Sequence, residues 1–193
     1  MITPVTKGRL ARFLVIVSAF RADDTVMDTI ESITTQDYRE QDYDIMVASS
    51  NNRPVTNLKL KQHRLTLVTT DKDTRGAMLQ DALNQSNSLK LYDMVVVLDA
   101  GDTVDRDFLT QLNRSRQAGN KVIQAHRMSR HRNTALASME ATFEEINNSV
   151  FRRGHIAIGL SSGLATSGTA YDYNWFKQNI SSIAGGIKEA EAL

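Results

Sequence analysis

Cysteine is absent from this chain of 193 residues. That excludes disulfides and thiolate metal sites, and it fits a reducing compartment. Charge of one sign is equally scarce. The 23 Lys and Arg face 22 Asp and Glu, for a formal net charge of +1. Nucleic-acid binders usually carry a clear basic excess, so no nucleic-acid partner is expected. Long apolar runs are missing as well. The stretch from Met94 to Leu98 falls far short of the roughly 20 apolar residues that cross a bilayer. The opening MITPVTKGRLARFLVIV is basic and then apolar, but Ser18 and Arg21 break the run and no cleavage-like site follows. It therefore reads as a strand and not as a signal peptide. No repeat or low-complexity tract is visible. What remains, 41% hydrophobic and 23% charged residues, suits a soluble chain with a real core. The length suits one domain over residues 1–193, and a domain cut short on its C-terminal side is the alternative expectation.

Apolar, β-branched runs alternate with segments of helical period. Strands are expected at Phe13 to Ser18, Asp44 to Ala48, Leu65 to Thr69, Asp93 to Leu98 and Lys121 to Ala125. The fourth is a continuous apolar run, as a strand covered on both faces should be. Helices are expected at Thr25 to Gln36, Thr74 to Gln85, Asp105 to Ala118, Thr134 to Arg152 and Tyr173 to Ile180. Val26, Ile30 and Ile33 fall on one face of the first. The alternation predicts a three-layer α/β/α sandwich with a mostly parallel central sheet. Such sheets bind ligands at the carboxyl ends of their strands, near a topological switch point. The segments to inspect are Ser18–Arg21, Ser49–Asn52, Thr70–Gly76 and Asp99–Thr103.

Asp99 and Asp102 follow the most hydrophobic strand. Carboxylates leaving a strand tip suit Mg²⁺ or Mn²⁺, hard cations that bridge one or two carboxylates to substrate phosphates. Asp-Ala-Gly-Asp is equally good turn and helix-cap chemistry. Arg75 and Gly76 open a helix, where phosphate is attracted and an arginine fork can grip it; a solvated arginine is the alternative. The segment from Gln124 to Asn133 carries His126, Arg127, Arg130, His131 and Arg132, as a phosphate-facing edge or a solvated basic loop. Its histidines lack a zinc-ligand set. Glu140 and Glu144 share a helix face, usually a polar one. Near the end, Glu189 and Glu191 are either a general base at the mouth of a site or a charged tail. No Gly-x-Gly-x-x-Gly follows the first strand, which weighs against a dehydrogenase.

In order along the chain, RFLVIVSAFRADDTVMDTIESITTQDY, TRGAMLQDAL, YDMVVVLDAGDTVDRDFL, VIQAHR, EEINNSVFRRGH and GLSSGLATSGTAYDY resemble the successive motifs of family-2 glycosyltransferases, in a membrane-associated bacterial subgroup. The resemblance implies a GT-A fold, a UDP- or GDP-sugar donor, a divalent metal (Mg²⁺ or Mn²⁺) and inverting transfer to a glycan or lipid-linked acceptor. It implies a cytoplasmic place at the inner membrane face, with membrane helices outside this stretch. By position Ala19, Phe20, Arg21, Ser49, Ser50, Asn51, Arg75, Gly76, Asp99 and Ala100 would bind the nucleotide sugar. Asp99 and Asp102 would hold metal, Ser167 and Gly168 would border the acceptor, and Glu189 or Glu191 would be the base. The first turn, with Ser18, Phe20 and Arg21, departs from the family pattern, and so do three acidic positions. Ser50 stands at an acidic position after the second strand, Gly101 at the third position of Asp-x-Asp, and Ala190 in the Glu-Asp base pair. They leave a second possibility, a catalytically degenerate binding domain of the same fold.

Overall fold

The computed structural model describes residues 9–86, 91–125 and 167–180. Along them run β1 (Phe13–Phe20), α1 (Val26–Thr34), a 3-10 turn (Glu40–Asp42), β2 (Tyr43–Ser50), α2 (Pro54–Leu60) and β3 (Thr66–Thr69). Then come α3 (Arg75–Gln85), β4 (Met94–Asp99), α4 (Phe108–Gln117), β5 (Val122–Gln124) and β6 (Thr169–Asp172), and residues 173–180 are helical. Each strand expected from the sequence is present, with ends moved by a residue or two. The sequence pattern did not show α2 or β6. α2 has only 7 residues, too few to display a helical period, although Pro54 at its first turn suits the fixed φ of proline. β6 has 4 residues. The helix expected over Thr134 to Arg152 lies outside the described residues.

The strands form one sheet in the order β3-β2-β1-β4-β6-β5. β3, β2, β1 and β4 are parallel neighbours, and β6 runs antiparallel to both β4 and β5. The parallel strands are apolar on both faces because helices cover both. Alternate residues sort accordingly, with the period of two that a pleated strand imposes. Phe13, Val15 and Val17 of β1 pack with Ile45, Val96 and Leu98 beneath Ile30 and Ile33 of α1, Leu109 of α4 and Leu60 of α2. Leu14 and Ile16 pack with Met46, Val95 and Val97 beneath Met78 and Leu79 of α3 and beneath Phe176 and Ile180. Each large side chain fully buried in this way contributes about 1.5–3 kcal/mol of transfer free energy.

At the amino ends of the strands the charges are tied down. Asp93 accepts from Arg9, Arg116 and the Arg12 amide, and Asp44 accepts from Arg12 and the Tyr92 hydroxyl. Burial, and then the charge of Asp44, push the Tyr92 phenol well above its ordinary pKa.

The order of connections determines where a ligand can enter. From β1 the chain steps outward to β2 and β3, with α1 and α2 on one face. It then returns past β1 to β4, with α3 on the other face. Right-handed crossovers require that change of face when the direction reverses. The reversal opens a crevice at the carboxyl ends of β1 and β4.

Candidate functional site

Ser18 and Asp99 are register partners at this crevice. They belong to the strand face that α3 covers. Arg75, the first residue of α3, reaches across the strand ends. Its Nε donates to Asp99 Oδ1 at 2.5 Å, with the arginine side chain only 11% exposed. Ser18 Oγ donates to the same oxygen at 2.6 Å. Asp99 Oδ2 has no hydrogen-bond partner among the described residues, and the carboxylate side chain is 37% exposed. Ser18, Phe20, Arg75, Asp99 and Ala100 line an open cleft of about 230 Å³, and Ala22, Asp73 and Met78 complete its wall.

The first three residues of the loop after β4 are each held by a backbone amide. The Ala100 amide donates to the Ser18 carbonyl (2.9 Å), continuing the β1–β4 ladder, and the Asp102 amide closes a turn on the Asp99 carbonyl (3.1 Å). Between them Gly101 has φ +102, a conformation that glycine adopts freely. Its amide donates to Thr29 Oγ1 at 2.8 Å. Ser167, which is buried, accepts from the Asp99 amide at 2.9 Å and donates a short hydrogen bond to Asp102 Oδ2. The two acids of the loop are thus fixed by different partners, Asp99 by Ser18 and Arg75 and Asp102 by Ser167.

The other candidate residues fall as follows. Arg21 places its guanidinium carbon 5.1 Å from the centre of the Phe20 ring. Arg21 (φ 48) and Asn51 (φ 54) both adopt left-handed backbone at the tips of β1 and β2. Gly76 is buried in the first turn of α3. Ala19 is buried in the core layer under α1, so its side chain faces away from the cleft. Ser49 lies on the same strand face as Ile45 and Val47 of that layer, and its hydroxyl donates to Asn57 Oδ1 of α2 at 2.7 Å. Ser50 is buried beside Phe20, its register partner on β1, and among the described residues its Oγ has no hydrogen-bond partner. Ser167 was expected at the acceptor side; its hydroxyl is spent on the Asp99–Asp102 loop. Gly168 (φ 74) donates to the Val97 carbonyl at 2.9 Å and leads into β6. Glu140, Glu144, Glu189, Glu191 and the basic segment from His126 onward lie outside the described residues.

Ser18 and Asp73 stand out in the sequence only by their places in strand-end segments, and Met78 carries no functional signal there at all; Met78 lines the cleft because α3 returns over β1, a fact of topology.

Among the described residues no three His, Cys, Asp or Glu side chains cluster as a metal centre. Two carboxylates are nevertheless the donor set with which a hard divalent cation bridges protein to phosphate, the remaining ligands being water and substrate. Asp99, with one oxygen pinned and the other without a partner, fits that use. Away from the cleft, Asp23 accepts from Thr56 Oγ1 and the Arg53 amide, and it pairs with the Arg53 guanidinium at 3.1 Å. The Thr56 hydroxyl first, and then the Arg53 amide, hold its pKa below the ordinary value.

An open, mostly parallel sheet with helices on both faces and a polar crevice at its switch point places the protein among the doubly wound α/β domains. The chain belongs to the family described as "Glycosyltransferase like family 2", whose model matches residues 11–171. No curated protein sequence matches it. Solved structures with the same fold include S. aureus TarS, with a TM-score of 0.65 at 15% identity over 87% of this chain and 29% of that one. The mannosyltransferase PcManGT from Pyrobaculum calidifontis, in complex with GDP-Man and Mn²⁺, gives 0.52 at 21% identity over 62% of this chain and 36% of that one. Glucosyl-3-phosphoglycerate synthase from Mycobacterium tuberculosis, in complex with Mn²⁺, UDP and phosphoglyceric acid, gives 0.52 at 14% identity over 84% and 56%. The chain therefore spans between about a third and just over half the length of these proteins. The likeness shows the GT-A fold, as the sequence motifs implied.

Proposed function

We propose that the crevice between β1 and β4 binds a nucleotide-diphosphate sugar, UDP- or GDP-linked, and that the domain transfers the sugar to a hydroxyl of a glycan or lipid-linked acceptor. The observation that carries this is the convergence of Ser18, Arg75 and Asp99 on one open cleft at the switch point. Family membership and the donor complexes of the structural neighbours support the substrate class. In an inverting transfer the acceptor oxygen bonds to the anomeric carbon as the bond from that carbon to the diphosphate breaks. The electron pair leaves with the diphosphate, and the acceptor proton passes to a carboxylate.

Arg75 presents fixed positive charge to the departing diphosphate, on a helix whose N-terminal amides favour anions. Asp99, through Oδ2, and Asp102 are the residues that would hold Mg²⁺ or Mn²⁺, which supplies further positive charge against the diphosphate. Ser18 and Ser167 orient those carboxylates. The base is assigned to Glu189 or Glu191 from their place in the family pattern. No helix among the described residues is long and apolar enough to cross a membrane. A cytoplasmic site at the inner membrane face, with membrane helices elsewhere in a longer protein, remains part of the proposal and rests on the motif resemblance alone.

A second reading, donor binding without transfer, draws on one observation. Arg75 already neutralises Asp99, while Ser50 and Gly101 stand at positions that are acidic in the family. One set of measurements tests both. Thermal unfolding and calorimetric titration with UDP, GDP and their sugars, with and without Mn²⁺, should show a raised midpoint for at least one nucleotide. Asp99→Ala should abolish the Mn²⁺-dependent part of binding, and an unchanged dependence would remove Asp99 as a ligand. No response to any sugar nucleotide would sink both readings; binding without diphosphate release in the presence of acceptor glycans would leave the second.

A further inference from the structure

We infer that Asn52 is a positioning residue for the donor cleft, holding the Phe20–Arg21 turn in the shape that forms one wall. The inference rests on the donor-binding reading of that cleft. Its grounds are a set of hydrogen bonds that join the tips of two adjacent parallel strands. Asn52 Oδ1 accepts from the Ala22 amide at 2.6 Å, and Nδ2 donates to the Ala19 carbonyl at 2.7 Å. One side-chain amide thus brackets Phe20 and Arg21 from both sides, in the way a neighbouring strand would pair with them. Nδ2 also donates to Ser49 Oγ at 2.9 Å, which anchors the asparagine to β2.

The bracketed turn is strained in a way that needs such a bracket. Arg21 has φ 48 and Asn51, on the facing turn, has φ 54. Left-handed backbone costs a residue with a Cβ roughly 1–2 kcal/mol, and it persists where surrounding contacts over-determine it. The Arg21 amide adds the one backbone bond between the turns, to the Ser50 carbonyl at 3.1 Å. Without Asn52, only that bond and the more distant contacts of Asp23 with Arg53 and Thr56 would hold the left-handed Arg21 against the extended alternative. What depends on the turn is the cleft. Phe20 and Ala22 both line it, and the Arg21 guanidinium lies over the exposed Phe20 ring. Asn52 itself does not line the cleft, so its influence runs through the turn.

The test compares Asn52→Ala with Asn57→Ala. Asn57 accepts from the same Ser49 hydroxyl that Asn52 donates to but makes no side-chain hydrogen bond to Ala19 or Ala22, so it reports general loosening of the same network. UDP and GDP affinities are measured calorimetrically, well below each variant's thermal midpoint. For whichever nucleotide the natural chain binds, Asn52→Ala should raise Kd at least tenfold while Asn57→Ala stays within twofold. Equal affinity in Asn52→Ala, or the same loss in both variants, overturns the inference. If Asn52→Ala does not fold, Asn52→Asp takes its place. The carboxylate keeps the acceptor for Ala22 but has no hydrogen to give Ala19, so nucleotide binding should weaken, and unchanged binding overturns the inference. Failure of the natural chain to bind either nucleotide refutes the donor reading itself, a result distinct from normal binding by both the natural chain and the variant.

Discussion

Asp99 Oδ1 accepts from two donors, Arg75 and Ser18, and the turn beyond it closes through a left-handed residue, Gly101. At φ +102 a side chain is strained even where space exists, and the nearest atom to an added Cβ would be Thr25 Cβ at an ordinary 3.5 Å. Gly101→Ala is therefore expected to cost about 1–2 kcal/mol through backbone strain rather than through a clash. Urea unfolding of the two proteins would measure it. The same substitution should weaken nucleotide binding, because the strain falls on the loop that carries Asp99 and Asp102. A loss of stability with unaltered binding would separate that loop from the cleft.

Elements are joined here by side chains as much as by packing. Ile30 and Ile33 seat α1 on the sheet, but Asp23, just ahead of α1, also grips the start of α2 through Arg53 and Thr56. Those partners favour the ionised carboxylate, so the folded-state pKa lies below the ordinary 3.8. The sign follows from linkage: a depressed folded pKa stabilises the fold above the unfolded value, and this contribution disappears as pH falls through the folded one. Stability should decline on the acid side of pH 3.8, and Asp23→Asn should make that decline shallower. Unfolding midpoints measured across this range would show the difference between the two slopes. Parallel curves for the natural chain and Asp23→Asn would mean that other carboxylates dominate the acid limb.

For the molecule as a whole, the switch point ties ligand binding to global stability. The cleft is built from β1, β4 and α3, which come together only in the folded sheet. A donor that binds the native state and not the unfolded chain must therefore stabilise all of it. At a free concentration of 100 times Kd the gain is about 2.7 kcal/mol. It should appear in denaturant unfolding as a shifted midpoint with the same slope, since the surface exposed on unfolding is unchanged. A changed slope would indicate that the donor orders additional chain.

The sequence alone determined the layers. The burial of β1 and β4 on both faces is written in FLVIV and MVVVL, and the stripe of α1 is written in Val26, Ile30 and Ile33, because period and hydrophobicity are local properties. It also marked Asp99 and Arg75, since a polar residue after an apolar strand, or at the start of a helix, is visible without any fold. Which of these residues meet was decided by the tertiary structure. Arg75 lies 24 positions from Asp99, Ser18 lies 81 and Ser167 lies 68, and no local pattern relates them. The same alternation that identified β2 left open which face Ser49 and Ser50 would take; the folded sheet turned Ser49 toward α2 and buried Ser50 beside Phe20. Asn52 was least legible of all, because its role comes from two strand tips brought side by side by a crossover, and hydrogen bonds of that reach exist only once the sheet has closed around them.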